Sequence, residues 1–315
     1  MAQMIRADSI DFGAYMRETE PAMKVRKASQ FADDLVQQFA IREQSGYMPH
    51  MASTKLGRDL EFRPGEVTVW AGYNGHKKSF FTGQVALDLC AQGQRVLVAS
   101  LEMEPVKTLE RMARNVFAVR FPAPASLHHF AGWTDGRLWL FDHIGRLSPS
   151  LCIAVLKYFA DECKGQHVFI DSMMMVCASE ESLDEQKQFT TDLVRVAQET
   201  GLHIHLVAHC RKPQDDSKPP TKYDLRGSAA ISDQAHNVVT VWANKAKAAA
   251  LEKDPNDSQA GEQPDALVTV EKQRNGSYEG RIKLWFDGTS LRFMNDRHSR
   301  AVPMVLRVER EGVAA

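Results

Sequence analysis

The sequence predicts an α/β protein: a mostly parallel central sheet covered by helices on both faces, an N-terminal helical arm and a C-terminal antiparallel extension. Three observations point there. Near-continuous apolar runs alternate with helical stretches between Glu66 and Ala243, as in a parallel sheet buried on both sides. The first of these runs passes directly into a glycine-bearing turn, GYNGHKKS at Gly72–Ser79, and then into a helical stretch. Beyond Asp265 the runs shorten and alternate across tight turns, the pattern of antiparallel hairpins.

Taken in chain order, Phe31–Gln44 (FADDLVQQFAIREQ) places Phe31, Leu35, Val36 and Phe39 at helical spacing, which predicts one amphipathic helix able to dock on a neighbouring core. Gly46–Leu60 reads as a connecting segment. EVTVWAG (66–72), RVLVASLE (95–102), RLWLFD (137–142), HVFID (167–171), HIHLVAH (203–209) and NVVTVWA (237–243) read as strands. SFFTGQVALDLCAQG, PVKTLERMARNVFAV, Leu151–Cys163 and Glu185–Thr200 read as helices. Lys245–Asp265 is polar and turn-rich and is expected to be a mobile surface loop. ALVTVEKQR, EGRIKLWFD and SLRFM supply the terminal hairpins. The predicted organisation is an arm over 1–60, a core over 61–295 and a tail over 296–315.

Of 315 residues, 43% are hydrophobic and 25% charged, enough to bury one large core. The formal net charge of −1 excludes binding of nucleic acid through global basicity; any such contact needs a local patch or loops gathered by assembly. The five cysteines include no C-x-x-C pair, which argues for buried thiols in a reducing compartment. The N-terminal stretch is acidic in part and lacks an apolar core, so no signal peptide is expected, and no apolar run is long enough to cross a bilayer. A cytoplasmic protein follows, in the bacterial host cytoplasm if phage-encoded.

GYNGHKKS departs from the phosphate-loop pattern G-x-x-x-x-G-K-[ST] at one position, where Lys77 replaces glycine. A strand before and a helix after would aim the backbone N–H groups of Gly72, Asn74, Gly75, His76 and Lys77 at an anion. Lys78 would reach the outer phosphates and Ser79 would bind Mg²⁺. Asp171 ends an apolar strand and can hold the metal's water shell from the same sheet edge. Glu102, ending another strand, can polarise a water, and His209 can sense the terminal phosphate. The plain alternatives are a strand-to-helix turn with incidental lysines and locally bonded strand-end polar residues.

GYNGHKKS, VLVASLEMEP, VFIDSMMMV, HLVAHCRKP, YDLRGSAAISDQAHNVV and VEKQRNGSYEG, in that order, resemble the motifs of DnaB-like hexameric replicative helicases, most nearly the helicase half of phage primase-helicases and their mitochondrial relative. The resemblance spans about Leu60 to Met294. It implies a RecA-like ATPase core that hydrolyses ATP, or another NTP or dNTP, with Mg²⁺, and that assembles as a homo-oligomeric ring, usually of six, around single-stranded DNA at a replication fork. The stretch before Leu60 shows no primase or zinc-ribbon signature, so priming, loading and ring stability are expected from a separate primase and loader or from the helix at Phe31–Gln44 docking on an adjacent core.

By the family's motifs, Lys78 and Ser79 match the phosphate-loop pair, Asp171 the metal aspartate, Glu102 the catalytic glutamate and His209 the sensor. Lys272 and Arg274 match the finger residues that reach a neighbour's nucleotide. The resemblance places the DNA loops at Ser172–Glu185 and Arg211–Ile231. The second carries Arg211, Lys212, Lys218, Lys222 and Arg226, with Gly227 and Ser228 as backbone donors.

Two other readings stay open. One is a RecA-like recombinase or strand-annealing ATPase. The other is a non-hydrolysing nucleotide- or DNA-binding scaffold, motivated by Lys77, which could strain or crowd the loop.

Overall fold

The structure, a computed structural model, describes residues 3–5, 36, 48–177, 182–211, 217–227 and 229–306. Of the helix expected over Phe31–Gln44 only Val36, in helical conformation, falls among them. The rest of that helix, with Lys212, Ser228 and the tail from 307 onward, lies outside the described residues.

Twelve strands are described. β1 (Gln3–Ile5) is followed by the separate hairpin of β2 (His50–Met51) and β3 (Gly57–Glu61). Then come β4 (Val67–Gly72), β5 (Val96–Ser100), β6 (Leu138–Phe141), β7 (His167–Asp171), β8 (His203–His209) and β9 (Asn237–Ala243). β10 (Ala266–Gln273), β11 (Gly280–Asp287) and β12 (Arg292–Met294) complete the set. One ten-stranded sheet runs in the order β1-β6-β5-β7-β8-β4-β9-β10-β11-β12. Every pairing from β1 to β9 is parallel, and β10, β11 and β12 add on antiparallel, as expected.

Side-chain alternation along β4 explains how the sheet is buried on both sides. Val67, Val69 and Ala71 face a core layer with α4 (Pro149–Asp161) and α5 (Leu183–Thr200). Trp70 faces the opposite layer, with α1 (Lys78–Ala91), α2 (Pro105–Phe117) and α3 (Pro124–Thr134). Pro105, Pro124 and Pro149 each open a helix at its first turn, where a missing N–H costs nothing. No helix among the described residues is long and apolar enough to cross a membrane.

Two segments depart from expectation. Gly46–Leu60 is not a plain connection: its β2–β3 hairpin buries Met51, Leu56 and Leu60 against α1, and Ser53 donates from both N and Oγ to Asp88 Oδ2, at 3.0 and 2.7 Å. Lys245–Asp265 is not a loop but contains α7 (Lys245–Lys253) and α8 (Ser258–Glu262). Asn244 and Asp257 cap them, each accepting a backbone N–H three residues on at 2.9 Å, and Lys247 Nζ ties the segment to Asp265 at 2.7 Å. The tail is docked where described, with Met304 N donating to Val116 O at 2.8 Å.

Candidate active site

Parallel pairing brings the C-terminal ends of β4, β5, β7 and β8 to one edge. Gly72 pairs with His209 and Ser100 with Asp171, and Leu101 N donates to Asp171 O at 2.8 Å, so Glu102 arrives beside the Asp171 strand end. The turn from Gly72 to Lys77 leads into α1. A Cβ on Gly72 would strike the Val241 carbonyl, so only glycine fits there. His76 is buried, and its Nδ1 accepts from Ala243 N at 3.1 Å, which moors the turn to β9. Asn74 and Gly75 are exposed at its tip.

Lys77 occupies the departed glycine position and adopts its backbone, at φ 63° and ψ 22°. A left-handed lysine costs on the order of 1–2 kcal/mol. Its side chain leaves the turn: Nζ lies 4.1 Å from the centroid of the Phe286 ring. Burial lowers the Lys77 pKa, and the Asp265 charge opposes that shift.

Lys78 is buried, and its Nζ donates to Gly72 O at 3.0 Å and Tyr73 O at 2.9 Å and lies 3.3 Å from His209 Nδ1. Burial lowers its pKa; Asp171, Cys210 and Glu102 pull the other way. Burial and the Lys78 charge push His209 down to about 4, so at neutral pH its imidazole is neutral and Nδ1 can accept from the ammonium. Ser79 Oγ donates to Asp171 Oδ2 at 2.5 Å. Burial raises the Asp171 pKa and Glu102 adds to it, against Ser79, Lys78 and Arg111. Ser172 Oγ donates to Glu102 Oε1 at 2.8 Å.

A cation, a hydroxyl touching a carboxylate, a second carboxylate and a neutral imidazole thus converge on one helix N-terminus. The residues fit a metal-bound nucleoside triphosphate: Lys78 is held by loop carbonyls and a neutral ring, and the Ser79 hydroxyl and Asp171 carboxylate lie together as oxygen donors of the kind Mg²⁺ takes.

The profile of the AAA domain family matches residues 58–215, half of the chain, including the turn, Glu102, Asp171 and His209. The chain belongs to the AAA domain family. Its fold is similar to two solved structures. One is an ATPase domain, at 18% identity and a TM-score of 0.68, over 84% of this chain and 98% of that one. The other is a DnaB-like replicative helicase described with its interactions with primase, at 17% identity and a TM-score of 0.65, over 86% of this chain and 67% of that one. The RecA-like ATPase fold expected from the sequence is therefore the fold of this AAA domain.

Two predicted site residues stand apart from the rest. β10 runs against β9 and pairs Gln273 with Asn237, and Asn237 pairs with Thr68 at the start of β4. Lys272 and Arg274 therefore occupy the sheet edge opposite Gly72, four strand residues or about 13 Å away along β4. A bulge at Glu271 shifts the register just before them. Lys272 Nζ donates to Ser232 O and Asp233 O at 2.9 and 2.8 Å, and Arg274 donates to Asp233 O at 3.0 Å. These carbonyls close α6 (Ala230–Gln234), whose C-terminal oxygens lack helical partners and attract cations.

The expected strand-binding segment returns to the phosphate-site edge. Cys210 bridges Leu225, Arg211 N donates to Asp224 O and Arg226 N donates to His209 O, both at 2.8 Å. Arg211 and Lys218 are exposed, Lys222 and Arg226 partly so. Gly227 has a φ of 100°, in the region side chains avoid, and a Cβ there would press on the Gln186 amide of α5.

Sequence reading missed Ser172, Arg111 and Phe286. Ser172 was legible as the residue after the strand-end aspartate. Arg111, whose guanidinium lies 4.6 Å over Phe80 and acts on Asp171, comes from a helix face, and Phe286 from a distant hairpin; neither spacing announces the contact.

Proposed function

We propose that this AAA domain is the ATP-driven motor of a DNA helicase, working as a ring of about six protomers on single-stranded DNA in replication of phage type, inside the cytoplasm. What supports it is the separation of Lys272 and Arg274 from Lys78 across the sheet. Within one protomer that pair lies far from the phosphate loop, which is consistent with a second copy supplying it; on this reading turnover requires assembly.

Mg²⁺–ATP, when bound, supplies the phosphoanhydride whose cleavage drives the cycle. The chain's own groups then divide the work. Lys78 would neutralise the outer phosphates, and Ser79 with Asp171 would hold the metal. Glu102, oriented by Ser172, positions a water and takes its proton. Neutral His209 lies between Lys78 and the Arg226 backbone, where the state of the phosphate site meets the strand-binding segment. Residues 61–295 form the motor with the β2–β3 hairpin packed on it, the helix read over residues 31–44 docks on the next protomer, and a primase and a loader act with it.

The test is ATP hydrolysis with and without single-stranded DNA, together with unwinding of a fork bearing a 5′ tail. Wild type should show DNA-stimulated hydrolysis and strand displacement, and Lys78→Ala neither. Hydrolysis without displacement favours the recombinase or annealing reading, and binding without hydrolysis favours the scaffold.

A further inference from the structure

The strand-binding segment contains a side chain that its electrostatics do not explain. Tyr223 sits in a short 3₁₀ turn, Lys222–Asp224, and is 81% exposed. A single exposed tyrosine is ordinary on a protein surface; what sets this one apart is the mount that holds it and the charges beside it. The turn holding it is anchored by its cap and its backbone. Thr221 and Asp224 form a reciprocal capping box, with Thr221 N and Oγ1 donating to Asp224 Oδ2 at 2.7 and 2.9 Å. Arg211 N donates to Asp224 O at 2.8 Å, the Lys222 backbone bonds Glu271, and Leu225 is buried. The ring is therefore presented by a rigid mount.

The carboxylate of Asp224 is taken up by the capping box and Glu271 bonds the Lys222 backbone, while cations lie beside the ring. Lys222 Nζ lies 5.5 Å from the ring centroid, and Arg211 and Lys218 are exposed in the same segment. An exposed aromatic face flanked by lysine and arginine matches a polyanion that also carries flat π-systems, which is single-stranded nucleic acid. We infer that Tyr223 is a base-stacking platform: one base of the strand rests on its ring while Lys222, Arg211 and Lys218 hold the sugar-phosphate chain. This rests on the reading of the segment as strand-binding and adds a contact to the base, not the backbone. The mount also joins the nucleotide site, since Arg226 N, three residues on, bonds His209 O, and His209 contacts Lys78.

Fluorescence anisotropy with two labelled strands of equal length tests it, one of oligothymidine and one of abasic sugar-phosphate units, using the full chain with bound nucleotide. Wild type should bind oligothymidine more tightly than the abasic strand. Tyr223→Ala should lose about 5- to 150-fold on oligothymidine and leave abasic binding unchanged, while Tyr223→Phe keeps both. Tyr223→Ala binding oligothymidine as well as wild type overturns the stacking role, as does an equal loss on both strands. Wild type that binds neither strand overturns the strand-binding reading and this one with it. Loss on oligothymidine alone cannot be a folding defect, because the abasic strand reports the fold.

Discussion

Lys77 Nζ stands 4.1 Å over the Phe286 ring, on a backbone turned into the left-handed region where the phosphate-loop pattern has glycine. The two facts offset each other. The backbone strain costs about 1–2 kcal/mol, and a partly desolvated cation–π contact returns on the order of 0.5–2 kcal/mol. Lys77→Gly should therefore change unfolding free energy by less than about 1 kcal/mol and leave ATP turnover within about threefold of wild type. Urea unfolding and steady-state hydrolysis check both. A gain in turnover of about 100-fold or more in Lys77→Gly would mean that Lys77 obstructs the phosphate site.

Ser172 touches Glu102 and no reacting group, so its effect should be one of orientation. Removing a hydrogen bond to a charged group costs about 1.5–3 kcal/mol. Ser172→Ala is expected to lower kcat about 10- to 100-fold with KM for ATP little changed, whereas Glu102→Gln should lower kcat about 100- to 10,000-fold. Equal kcat in Ser172→Ala and wild type counts against the assignment of Glu102.

Acid should unfold the protein through its core. His167, His203 and His205 are buried in contact: His167 Nδ1 to His205 Nε2 at 3.3 Å, Trp70 Nε1 donating to His205 Nδ1 at 3.2 Å, and His203 Nε2 to Thr68 Oγ1 at 2.8 Å. Burial lowers all three pKa values, that of His203 to about 3. The unfolded chain binds protons below about pH 6.5 that the folded one refuses. Stability is thus full above that value and falls as pH drops through it, by up to about 1.4 kcal/mol per pH unit for each histidine. Thermal melts from about pH 7.5 to about 4.5 should show a steep decline beginning near pH 6.5; a flat profile across that range contradicts the neutral-histidine core.

Much of this was legible because near-continuous apolar strands announce themselves. His167–Asp171, His203–His209 and Asn237–Ala243 have the bounds read from their apolar runs, and two residues at such strand ends, His209 closing one and Glu102 just past another, form the site with Lys78. Illegible parts depended on partners far along the chain. The β2–β3 hairpin has strands of two and five residues, too short for periodicity, and becomes structure only by burying Met51 and Leu60 under α1. Lys245–Asp265 looked polar because its helices are surface ones, although Asn244, Asp257 and an alanine run were present as capping and propensity signals. Whether Lys77 could replace glycine depended on Phe286, which lies 209 positions away in a hairpin.

The most direct measurement mixes two inactive proteins. Lys78→Ala lacks a working phosphate loop but keeps Arg274; Arg274→Ala keeps the loop and lacks the finger, and alone should lose about 1,000-fold or more in DNA-stimulated turnover while still binding nucleotide. Where the two adjoin in one ring, an intact loop meets an intact finger, so the mixture should regain hydrolysis that neither protein shows alone. Arg274→Ala that hydrolyses ATP like wild type, or a mixture of co-assembled rings that stays silent, contradicts a site shared between protomers.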